Sequence, residues 1–183
     1  MMESGTVGST GSGSVPVSGM ELYYEIQRFY AREAWLLDRK QYDEWLDLLT
    51  EDVVYRMPVR ISREPEDGQE VIEEMGYFEE NRESLELRIR RLKTSSAWTE
   101  IPAQRTRRFI SNLFLESGPT GGEVEVSSAF LLLRSRAEDE QVEQIFGERK
   151  DVLRLTESGW KLSRRTIIPD QTVLTVKNLS MFL

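Results

Sequence analysis

Three groups of side chains here are of types that could do chemistry. The first is a set of tyrosines and aspartates early in the chain, Tyr24, Tyr30 and Tyr55 with Asp38, Asp43 and Asp52. A buried carboxyl beside a phenol can act as an acid–base pair, because burial raises the carboxyl's pKa toward neutrality. The plainer reading is that aromatics at helical spacing are core. The second is a set of acid clusters, Glu64-Pro65-Glu66-Asp67, Glu79-Glu80 and Glu138-Asp139-Glu140. Their hard oxygens suit a divalent cation, but none has EF-hand spacing, so they read as charged loops. The third is the run from Ala97 to Asn112, where Trp98, Arg105, Arg107 and Arg108 fall between a helix and a strand. Such junctions carry recognition, and Trp and Arg dominate interface hot spots. Against this stands a purely structural use, with Trp98 over the sheet end and the arginines paired to surface acids.

What is missing narrows the chemistry further. The 183 residues include no Cys and no His. That removes disulfides, thiolate nucleophiles, Cys-ligated zinc and iron–sulfur clusters of this chain's own. It also removes the Ser-His-Asp and Cys-His triads and the two-His-one-carboxylate iron site. A net charge of −8 repels phosphate backbones and anionic lipid, which argues against a nucleic-acid role. No apolar run reaches the roughly 20 residues that cross a bilayer. The composition by itself favours binding or assembly over catalysis.

These groups depend on the elements that position them. Residues 1–19 are rich in Gly, Ser and Thr, lack a basic start and an apolar h-region, and are expected to be a flexible tail. Without a signal-like segment and without Cys, the expected location is cytoplasmic. The folded domain is expected over 20–183. Leu22, Ile26, Phe29, Tyr30, Ala34 and Leu37 recur at three- and four-residue steps, predicting a long amphipathic helix with Glu25, Arg28, Arg32 and Glu33 toward water. A short helix follows from Tyr42, then a strand over Val53–Met57 that Pro58 ends. Residues 60–68 read as a loop, and Glu70–Met75 as the start of a helical region. Asn81 is a candidate cap for a helix to about Lys93, with Leu85, Ile89 and Leu92 inward and Glu83, Glu86, Arg88 and Arg90 in exposed charge pairs. Beyond it, Thr106–Glu116 pairs with the alternating run from Val124 to Leu132 as one hairpin, and Val142–Leu155 with Trp160–Ile168 as another. Helices first and antiparallel strands after them give an α+β fold, with helices on one face of a curved, mostly antiparallel sheet. Its wide end can hold a pocket. The apolar run ending Met181-Phe182-Leu183 needs a cover, either a neighbouring subunit or the domain's own core.

Three segments, in order and spacing, carry a family resemblance: YYEIQRFYAREAWLLDRKQYDEWLDLLTEDVVYRMPVR, LELRIRRLKTSSAWTEIPAQRTRRFISN and WKLSRRTIIPDQTVLTVKNLSMFL. Over about residues 20 to 183 the chain resembles the small (β) subunit of Rieske-type aromatic-ring-hydroxylating dioxygenases, of the branch acting on biphenyl, benzene, toluene or cumene. The resemblance implies a cystatin-like, NTF2-like cone and an α3β3 assembly with a β trimer. It places the Rieske [2Fe-2S] cluster, the mononuclear non-haem iron and the substrate pocket in the α subunit. Electrons would reach it from NADH through a reductase and a ferredoxin, and the product would be a cis-dihydrodiol. The resemblance implies no catalytic, cofactor or metal residue in this chain, no nucleic-acid partner and no membrane. The candidates for subunit contact are Trp98, Arg105, Arg107 and Arg108, with Met181, Phe182 and Leu183.

Two functions follow. One is a non-catalytic small subunit that supports assembly of iron-bearing α subunits. The alternative is a stand-alone NTF2-like hydrolase, isomerase or dehydratase using a buried Asp/Tyr pair, which requires an open pocket around that pair.

Overall fold

The structure, a computed structural model, describes residues 19–60, 71–93, 104–135, 140–171, 173, 174, 176, 179 and 181–183. The expected tail, Gly19 apart, and the loop expected from 61 onward lie outside them. Helix α1 (Met20–Asp38) buries Ile26, Phe29, Tyr30, Glu33, Leu36 and Leu37. Glu33 is thus a correction to the water-facing assignment. It lies one turn beyond Phe29 and Tyr30, on the same face, and is 1% exposed. The short α2 (Tyr42–Leu46) then buries Trp45 and Leu46.

Strand β1 (Leu49–Arg60) is longer than expected, because Pro58 does not end it. Pro58 sits opposite Gly76 of β2 (Val71–Glu80) at a shift in register, and a bulge is one of the settings in which a strand tolerates proline. Val71–Met75, where the sequence predicts a helical start, are strand. Pairing along β1 outweighs the weak helical preference of the two glutamates there. Helix α3 (Arg82–Lys93) begins at a reciprocal cap. The Ser84 N–H donates to Asn81 Oδ1 and the Asn81 N–H to Ser84 Oγ, both at 3.0 Å. Leu85 and Ile89 face inward as expected. Arg88 turns inward too, against the expected exposed pairing, and donates to Glu80 Oε2 at 2.6 Å.

The two expected hairpins are β3 (Arg105–Ser117) with β4 (Glu123–Ser135), and β5 (Glu143–Thr156) with β6 (Gly159–Pro169). Pairing of β4 with β5 joins them into one antiparallel meander. The last strand then lies parallel to the first, giving a six-stranded sheet in the order β2-β1-β6-β5-β4-β3. β2 and β3 are therefore its two edges. On β3 the ladder slips between Ser111 and Phe114, where Asn112 takes φ 54°, a left-handed conformation that Asn tolerates better than most residues. The helices cover one face, and Tyr55, Met57, Val126, Leu132, Ile145, Leu153, Leu162 and Ile167 pack beneath them.

Candidate functional site

Among the described residues, the interior between helices and sheet holds a buried charge cluster. Arg165 is fully buried and splits its guanidinium between two carboxylates. Its Nε and Nη2 donate to Asp151 at 3.0 and 2.8 Å, and its Nη1 and Nη2 to Glu33 at 2.8 and 2.9 Å. The Tyr30 hydroxyl donates to Asp151 Oδ2 at 2.9 Å, and the Trp45 indole N–H to Glu33 Oε1 at 3.2 Å. Arg149 Nη1 lies 3.7 Å from Glu33, and its guanidinium sits over the Tyr30 ring. Two cations and two carboxylates thus balance in a buried interior, which is what keeps such ions tolerable there.

The electrostatics oppose acid–base use. Burial pulls the Glu33 carboxyl upward, but the charges of Arg165 and Arg149 overcome it and hold Glu33 below its ordinary value. Burial, reinforced by the Asp151 charge, pushes the Tyr30 phenol well above its own. An effective general acid or base titrates near working pH, and these two groups move away from neutrality in opposite directions.

The mouth of this interior is occupied by residues 181–183. The Phe182 ring lies 4.5 Å from that of Trp45 and 5.6 Å from that of Tyr42, with the Arg88 guanidinium 4.6 Å away on it. Arginines hold the main chain of this strap: Arg88 Nη2 donates to the Met181 oxygen at 2.7 Å, Arg108 Nη2 to that of Phe182 at 2.5 Å, and Arg165 Nη1 to that of Leu183 at 2.9 Å. The Tyr55 hydroxyl donates to the Leu183 oxygen and accepts from the Leu183 N–H at 2.8 Å.

The sequence-predicted residues therefore separate. Met181, Phe182 and Leu183 are covered by the chain's own core, and buried Arg108 pairs with Asp38 Oδ1 at 2.5 Å. Arg105 is exposed, and Arg107 reaches Asp38 only at 4.0 Å with most of its side chain in solvent. Trp98 lies outside the described residues. Of the tyrosine–aspartate candidates, Tyr24 is exposed, Asp43 binds Lys93 at 2.6 Å and Asp52 binds Arg154 at 2.9 Å. Only Tyr30 has an aspartate partner, and it is Asp151. Of the acid clusters, Glu64, Glu66, Asp67, Glu138 and Asp139 are outside the described residues, and Glu79-Glu80 lie on β2.

Glu33, Arg149, Asp151 and Arg165 were legible only by phase. Arg149 and Asp151 alternate with Ile145 and Leu153 on the inward side of β5, and Glu33 follows the helical stripe. Charges in an inward phase signal a buried ion network, yet polar residues are normally read as surface.

An iron group of the kind implied by the resemblance would need Cys and His donors. The chain has no Cys or His, and among the described residues no three metal-ligating side chains converge. The buried side-chain atoms left without a partner include Arg149 Nε and Nη2 and Ser128 Oγ, and a guanidinium repels a cation. The residues do not fit such a group.

Helices on one face of a six-stranded mixed sheet define an α+β chain of the NTF2-like class. The family described as Ring hydroxylating beta subunit matches residues 32–176. The chain is 42% identical over 166 residues to the biphenyl 2,3-dioxygenase subunit beta of Rhodococcus jostii (strain RHA1), covering 88% of each. It is 39% identical to the chlorobenzene dioxygenase subunit beta of Cupriavidus sp. (strain PS12), covering 88% of this chain and 89% of the other. A naphthalene 1,2-dioxygenase structure with indole bound matches at TM-score 0.81 and 25% identity, over 93% of this chain and 90% of that one. The chain belongs to the ring-hydroxylating β-subunit family, the small subunits of multicomponent aromatic-ring dioxygenases.

Proposed function

We propose that this chain is the non-catalytic partner in an α3β3 oxygenase of the cytoplasm, forming a β trimer that holds three iron-bearing α subunits in register. The α subunits would carry the Rieske cluster and the mononuclear iron and add dioxygen to a biphenyl- or benzene-like ring as a cis-dihydrodiol. Electrons would arrive from NADH through a reductase and a ferredoxin. The observation that carries this reading is the 42% identity to a biphenyl dioxygenase β subunit over 88% of both chains. The burial of Tyr30 and Asp151, whose groups bond each other and Arg165, agrees with it and opposes the stand-alone hydrolase, isomerase or dehydratase, whose Asp/Tyr pair must meet a substrate. Subunit contact is assigned to outward Arg105 and Arg107 and to Trp98, whereas Arg108 and residues 181–183 serve it indirectly by closing the core.

The test is gentle capture of the chain from its source cells, with native mass and iron measured on one sample. A hexameric mass containing a larger, iron-loaded chain is expected. Capture of the chain alone, without iron, would overturn the reading.

A further inference from the structure

A cleft of about 830 Å³ opens between α1 and the turn that joins β5 to β6, with Asp47 and Leu48 also in its wall. It shares no lining residue with the Arg165 cluster. Its volume falls in the range of small-molecule clefts, about 300–1,000 Å³.

The lining is of two kinds. Phe29, Leu48 and Trp160 supply apolar surface, and the Trp160 indole N–H donates to Glu25 Oε2 at 2.9 Å, which fixes the ring. Arg28, Arg32 and Lys161 supply three cations. None of their side chains forms an ion pair or a hydrogen bond with a described residue. That is unusual in a chain with 32 acidic residues against 24 basic ones, where Arg82, Arg88 and Arg154 all find carboxylates. Arg28 and Arg32 also lie four residues apart on α1, a spacing at which like charges repel. Of the two carboxylates in the lining, Glu25 is engaged by the indole, so Asp47 alone opposes the three cations.

An excess of positive charge beside a fixed aromatic ring fits an anion with a flat apolar body. Arginine pairs with a carboxylate through two parallel N–H···O bonds, and an aromatic acid can lay its ring against the indole at the same time. A bare inorganic anion would leave the apolar surface unused, and a neutral hydrocarbon would leave the cations unpaired.

We propose that this cleft binds an aromatic carboxylate, with Arg28, Arg32 and Lys161 receiving the carboxylate and Trp160 the ring. The binding groups all belong to this chain.

Titration of the full chain with naphthoate, followed by calorimetry and by the chemical shift of the Trp160 indole N–H, tests the site. One equivalent is expected to bind, about tenfold or more tighter than uncharged naphthamide or ringless acetate. The affinity should fall as salt rises. Arg32→Gln, Lys161→Gln and Trp160→Leu are each expected to weaken binding about fivefold or more, with unchanged melting temperatures for the two charge variants. Arg39→Gln, which removes an exposed cation just beyond α1 and outside the cleft, should leave it unaltered. No binding at millimolar naphthoate, equal binding of naphthamide, or affinity that survives both charge variants would each overturn the assignment. The competing occupant is an acidic segment of a partner protein. In the complex with the large subunit, photoreactive benzoylbenzoate is expected to label this chain at the cleft, with protection by naphthoate. Labelling of the isolated chain that disappears on assembly would make the cleft a protein contact and overturn the small-molecule site, while leaving the β-subunit reading intact.

Discussion

Arg165 binds more of the interior than its size suggests, since Glu33, Asp151 and the Leu183 main chain all depend on its guanidinium. Removing one partner from a buried ion cluster leaves the others uncompensated, which costs about 3–5 kcal/mol. Arg165→Met is expected to lose that much in urea unfolding, and a loss under about 1 kcal/mol would show that the cluster relaxes or hydrates. Glu33 contributes to the pH dependence. Its native pKa lies below the unfolded value of about 4.3, because Arg165 and Arg149 outweigh the effect of burial. Its charge therefore stabilises the fold above that pH, and the stabilisation disappears as the pH falls through the lower native value. Melting temperatures of the wild-type chain and Glu33→Gln should differ most near neutrality and converge on acidification. Parallel curves would contradict the assignment.

At the scale of elements, the strap of residues 181–183 and the contact of β5 with β6 close the fold. Phe182 is 1% exposed among Trp45, Tyr42 and Arg88, so Phe182→Ala is expected to cost about 3–5 kcal/mol in denaturant unfolding. Gly147 leaves no space for a side chain. A Cβ there would lie 2.2 Å from the Ile168 backbone oxygen and 2.8 Å from the Pro169 Cα, so Gly147→Ala must push the two strands apart. It should lower the melting temperature far more than Asn81→Ala, which removes one side of a helix cap worth about 1 kcal/mol. A reversed order would show that the strand pair yields easily. Helix α3 and its cap were readable from sequence, because capping is a local hydrogen-bond pattern. β2 was not, because Glu73 and Glu74 favour a helix locally and only pairing with β1 makes that segment a strand.

For the whole molecule, exposed Phe109 and Phe146 flank half-buried Leu131 in a row across the outer face, Phe109 pairing with Leu131 and Leu131 with Phe146. A partner that covers such surface binds only the folded chain and stabilises it by mass action, about 2.7 kcal/mol at a hundredfold excess over Kd. The chain's melting temperature is expected to rise when its large subunit is added. An unchanged value at saturating partner would argue against a shared folded interface. By composition alone, the chain was determined to lack the Cys and His ligands of a Rieske cluster or a two-His-one-carboxylate iron site and the His-based catalytic triads, since no fold can supply a His or Cys that is absent. Periodicity determined the long first helix and the two hairpins, because both are local hydrophobic patterns. Only the tertiary structure decided that Glu33, Arg149, Asp151 and Arg165 meet, that Arg108 and Phe182 serve the core, and that β2 and β3 end on opposite edges. Those outcomes depend on which elements lie side by side, and contacts between residues more than a hundred positions apart, such as Tyr30 with Asp151, leave no local trace in the chain.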